Sequence, residues 1–68
     1  MKTGDWVIDR YEHVGRIERM GLRMDEHAVQ VVWHASMSDW VVPHPFVKQK
    51  YLTVITKEVA DILIAVKP

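Results

Sequence analysis

Four histidines, His13, His27, His34 and His44, are the residues of this chain best suited to hold a metal ion. A zinc centre needs three or four converging ligands, commonly supplied as short-spaced pairs. None of these histidines makes such a pair, and each is expected in a loop or at a strand end. The pattern reads as separate surface histidines. Nucleophilic chemistry has equally little to work with, because the chain has no cysteine. Ser36 and Ser38 stand in a turn-like stretch without a Gly-x-Ser-x-Gly elbow. Asp39 and His34 could meet across a hairpin, yet turn capping accounts better for an aspartate there. Three isolated glycines form no phosphate-cradling loop. The residues therefore predict no enzyme, no metal and no cofactor.

Binding chemistry is better represented. Arg16, Arg19 and Arg23 are the one cationic cluster, and Arg19 and Arg23 share a face if their strand is regular. With Arg10 nearby and Trp6 or Tyr11 beside them, they would make a small stacking-plus-phosphate patch for RNA or DNA. Glu12, Glu18 and Glu26 are interleaved with them and weaken the field that attracts phosphates. The whole chain has a formal net charge of zero. Residues 1–27 carry five Lys/Arg against six Asp/Glu, and residues 28–68 carry four against three. Neither half has the basic excess of a nonspecific nucleic-acid binder, so that reading is disfavoured. The tryptophans are stronger candidates. Trp33 follows the inward parity of its strand, whereas Trp6 and Trp40 stand near strand starts beside loops. With Tyr11 and Phe46 they are the candidate partner-binding residues, since such rings offer large rigid surface.

Those side chains must be positioned by a very small body. At 68 residues the chain is one domain near the lower limit for folding on a hydrophobic core, and it has no cysteine to staple it. An apolar content of 49% argues against disorder. A shell this small cannot enclose three indoles, so some apolar surface is expected to face a protein partner or a second copy. No run approaches the roughly 18 apolar residues of a membrane span, and no signal-peptide core is present. A cytoplasmic location and no membrane partner are the expectations.

Two-residue alternation predicts strands at 5–10, 15–23, 28–34, 39–42 and 51–55. Tyr11–Val14 reads as a loop, Met24–His27 as a polar turn, and Phe46–Lys50 as a turn or single helical turn. Ile17 and Met20 fall on opposite faces unless a bulge intervenes, with Gly21 a candidate site for it. Val29, Val31 and Trp33 point inward, while Gln30 and His34 point outward. In the tail, Thr56 can cap a helix from Lys57 to Lys67, with Glu58 in its first turn. Val59, Ile62, Leu63 and Val66 share one face. A strand through Ile62–Ile64 is the competing assignment. The division is a barrel over 1–55 and an amphipathic helix over 56–68, packed on the barrel or on a partner.

The Gly-Asp start, the glycine entering strand two and the Val-x-Val-x-Trp third strand resemble a five-stranded SH3-like barrel. Gly4, Asp5, Val7, Gly15 and Ile17 resemble the opening of KOW-type modules, a resemblance that implies contact with RNA, ribosomal components or RNA polymerase. Glu12 and His13 stand where that family has a basic loop. Val29–Trp33 followed by Asp39-Trp40 also resembles the MIB-type barrels of ubiquitin ligases. Val29-Gln30-Val31 resembles part of the Val-Gln-Ile-Tyr segment of type II dihydrofolate reductases, with Val32 in place of the functional tyrosine. The fold expected is mainly β, a five-stranded SH3-like barrel with a short C-terminal helix. The function expected is a non-enzymatic binding or adaptor module making protein contacts. Nucleic-acid binding is the alternative, and an oligomeric pore enzyme is the remote one.

Overall fold

A computed structural model describes residues 1–36 and 44–66. Strands β1 (Trp6–Asp9), β2 (His13–Leu22), β3 (Asp25–Ser36), β4 (Phe46–Lys48) and β5 (Leu52–Ile55) precede helix α1 (Lys57–Ala65). One 3₁₀ turn, Gln49–Tyr51, links β4 to β5. The strands form a single antiparallel sheet in the order β4-β3-β2-β1-β5. The chain is thus mainly β with a short C-terminal helix, as the alternation and the Thr56 cap predict. Among the described residues no ladder joins β4 to β5, so these two strands are the edges of an open sheet.

The long β2–β3 hairpin carries most of the architecture. Val7, Ile17, Val29, Val31 and Leu52 form the buried cluster, with Met20, Trp33 and Val47 packed against it. Ile17 pairs with Val31 and Arg19 with Gln30, which leaves Glu18 as an extra residue in β2. That bulge shifts the parity of the strand and turns Ile17 and Met20 to the same side. It sits at Glu18, and a further register shift between Met20 and Leu22 falls at Gly21, the glycine the sequence nominates. Gly15 lies beneath this cluster without room for a side chain. A Cβ there would stand 2.5 Å from Val31 Cγ1 and 2.8 Å from the Val32 carbonyl oxygen.

Three connections differ from the sequence reading. The β1–β2 turn is tighter than a loop over 11–14, because His13 already opens β2 and is buried. The Glu12 N–H donates to the Asp9 carbonyl at 3.1 Å, and Glu12 then takes a left-handed φ of 65°. A glutamate pays about 1–2 kcal/mol for that conformation, while glycine's extra unfolded-state freedom offsets roughly half of it. Glu12→Gly is expected to stabilise the domain by about 0.5–1 kcal/mol in urea titration. No gain would show that the turn relaxes without it. The β2–β3 turn falls at Arg23 and Met24, since Leu22 pairs with Asp25. The fourth described strand is Phe46–Lys48, within a stretch read from sequence as a turn or single helical turn; the helical turn falls at Gln49–Tyr51. Its ladder is extended by the Val31 N–H, which donates to the Pro45 carbonyl at 2.7 Å. The strand expected at 39–42 lies outside the described residues.

The tail is helical. The Thr56 hydroxyl oxygen accepts from the Val59 N–H at 3.1 Å, satisfying a free first-turn donor. Lys57 and Asp61 approach to 3.4 Å. The helix packs on β1, β2 and β3 through a fully buried Ala60, with Leu63 and Ile64 half-buried. Of the apolar face read from the sequence, Val59, Ile62 and Val66 are exposed, Ile62 by 62%. Alanine's single methyl holds the helix off the sheet less than any larger side chain would, so the close approach is made at Ala60.

Candidate functional site

Among the described residues the Asp9–His13 pair is the most enclosed polar cluster. Asp9 Oδ1 accepts from the Tyr11 and His13 backbone N–H groups, both at 2.9 Å. Asp9 Oδ2 lies 2.8 Å from His13 Nδ1. The His13 ring meets Trp33 edge-on at 6.0 Å between centroids. These contacts lock the turn and fasten it to the core. Sequence reasoning put His13 on the surface and gave Asp9 no role. An aspartate two residues before a turn centre was the available signal. Among the described residues no three His, Asp or Glu side chains gather as a cation site.

The predicted partner-binding aromatics are dispersed. Trp6 is half-buried on β1, with its ring 5.0 Å from that of His34. Tyr11 is exposed on the β1–β2 turn. There the Arg10 guanidinium lies 5.0 Å from the Tyr11 ring and 5.3 Å from the Tyr51 ring. Phe46 stands on edge strand β4, separated from β1 by β3 and β2. Trp40 lies outside the described residues. Trp33 packs against the core, and its indole N–H donates to the His44 carbonyl at 3.1 Å.

The arginine cluster divides. Arg16 Nε donates to the Gly4 carbonyl at 3.2 Å, and its side chain lines a groove of about 380 Å³ with Glu18 and His34. Arg19 and Arg23 line a different groove of about 480 Å³ with Leu22, Met24, Gln30 and Phe46. Beyond the Glu18 bulge, Arg19 pairs with Gln30 and Gln30 with Phe46, so the three stand in one row across β2, β3 and β4. The sequence reading missed Met24, which is 94% exposed at the turn.

The outer arc of α1 is a second exposed surface. At about 100° per residue, the apolar positions from Ile62 through Val59 and Leu63 to Ile64 span roughly 200° of the helix. The sheet covers the Ala60 side and leaves the Val59–Ile62–Val66 side open. No helix among the described residues is long and apolar enough to cross a membrane. Compared with known protein families, with curated proteins and with solved structures, the chain matches none of them.

Proposed function

We propose that this chain is a non-enzymatic binding module that docks on a protein partner, or on a second copy, through the outer arc of α1. The observation that carries this reading is the exposure of Val59, Ile62 and Val66 on a helix already packed by its other side. A solvated helix needs only one apolar stripe, about 100° wide, and this one has close to twice that. A second apolar arc is the usual mark of a helix held between two bodies. Zero net charge leaves no long-range repulsion between copies. The small-barrel resemblance of the opening residues fits a module that works inside a larger assembly. Nucleic-acid binding through Arg16, Arg19 and Arg23 has less support, because Arg16 faces a separate groove and is tied to Gly4.

The test is a matched pair of interaction experiments on wild type and the Val59→Asp/Ile62→Asp variant. Both are compared by sedimentation for self-association and by cross-linking capture for partners. The substitutions lie on exposed positions, so circular dichroism should report an unchanged fold. Loss of a central apolar anchor typically weakens an interface by about 30-fold or more. The expected result is loss of the self-associated species or of specific captured proteins. If mass and captured proteins are the same for both chains, the reading is wrong.

A further inference from the structure

We infer that the groove between the β2–β3 turn and β4 is a docking site for an acidic peptide segment of a partner protein, anchored by one apolar side chain. No residue of α1 lines this groove, so the inference stands on observations separate from the helix arc.

The charges choose the occupant. Arg19 and Arg23 have no acidic partner among the described residues. Asp25 is the one acid lining the groove, and it is engaged elsewhere. Its Oδ1 accepts from the His27 N–H at 2.9 Å, and its Oδ2 faces Lys48 Nζ at 3.9 Å. Glu26 is turned toward His27 Nε2 at 3.6 Å. Lys48 and Lys50 line an adjoining groove of about 420 Å³ with the same Asp25. One end of an otherwise neutral chain therefore presents a run of cations. Two free guanidinium forks beside each other match carboxylates in geometry as well as charge.

The floor chooses the anchor. Leu22 is half-buried, and Phe46 and Met24 are 49% and 94% exposed, so an apolar side chain would cover surface now facing water. A flexible thioether beside an aromatic ring adapts to several anchor shapes. Edge strand β4 adds selectivity. Lys48 guards it against neutral strands, and that guard repels an acidic segment least. A single-stranded nucleic acid is the poorer fit, because successive bases need a series of aromatic platforms and the groove has one ring.

Fluorescence anisotropy on the full chain tests this with three labelled probes. They are a short Glu/Asp-rich peptide with one central Phe, the same peptide with that Phe replaced by Ala, and a short oligothymidylate. The Phe peptide is expected to saturate with a Kd of tens of micromolar, about 6 kcal/mol of affinity. Its binding should weaken at least tenfold with the Ala probe, with Arg19→Glu/Arg23→Glu, and with Phe46→Ala. It should also weaken as salt is raised. On the wild-type chain, the Met24 methyl and the Gln30 and Phe46 amides should shift in NMR titration, which does not depend on any variant folding. Failure to saturate below about 1 mM overturns the inference. So does affinity unchanged by both variants. Tighter binding of the oligothymidylate than of the peptide assigns the groove to nucleic acid and equally overturns it. Failure of the α1 variant to lose a partner would leave this result untouched.

Discussion

Gly15→Ala is expected to cost about 3 kcal/mol, the upper range for overpacking a core. That is a large part of the roughly 3–10 kcal/mol available to a domain of this size. Gly15 needs no unusual backbone angle, so conformational freedom is not the reason for glycine there. The added methyl would meet Val31 Cγ1 at 2.5 Å, the Val32 oxygen at 2.8 Å and Trp33 Cε3 at 2.9 Å. Side chains can retreat by a rotamer change, but the Val32 oxygen belongs to the β3 backbone opposite β2. Relief therefore requires the central hairpin to separate. Alanine's smaller unfolded-state entropy works the other way by about 0.4–1 kcal/mol, too little to reverse the sign. Gly21→Ala is the control. Nothing lies within 4 Å of its Cβ position, so only its φ of 61° resists, at about 1 kcal/mol. Urea denaturation of both variants decides the matter. A Gly15→Ala protein within 1 kcal/mol of wild type would show that the hairpin yields more easily than its packing indicates.

Asp9→Ala is expected to cost about 2–4 kcal/mol, because one carboxylate serves three donors or partners at once. It accepts two backbone N–H groups of the first turn and meets the His13 imidazole. Asp9 and His13 side chains retain only 11% and 10% of their exposure, so the discount for a solvent-screened surface pair does not apply. Asp9→Asn keeps an oxygen for the backbone donors and should lose about half as much. Thermal unfolding with matched urea titration distinguishes the two. Equal losses for Ala and Asn would place the effect in the charge, whereas a cost below about 0.5 kcal/mol for Ala would remove Asp9 from the turn's support.

The sequence made some of this legible for physical reasons. Val29, Val31 and Trp33 alternate with polar or smaller neighbours, and a half-buried strand cannot hide that period. The Thr56 cap was readable because a hydroxyl before a helix has one favoured job. Two failures share a cause, which is that a pattern reports apolar positions but not what covers them. On α1 two apolar arcs adjoin, and periodicity could not say that small Ala60 would take the sheet while Val59, Ile62 and Val66 stayed outside. Strand β4 has three residues after a proline, too few for a period to emerge, and its pairing with β3 is a long-range event. The candidate surfaces were less legible still. Arg16, Arg19 and Arg23 look like one cluster in sequence, yet they line two grooves, which no periodicity reports.

That single inserted residue also has a consequence for how the molecule can change. On either side of Glu18 the odd- and even-numbered positions of β2 exchange duties. The stretch that anchors the interior at Ile17 and the stretch that decorates the tip at Arg19 and Arg23 answer to different constraints. Substitutions at the tip can change the lining of its groove without disturbing the clustered valines. Deleting Glu18 would leave Ile17 and Arg19 adjacent opposite Val31 and Gln30, a regular ladder that keeps Arg19 on the outer face.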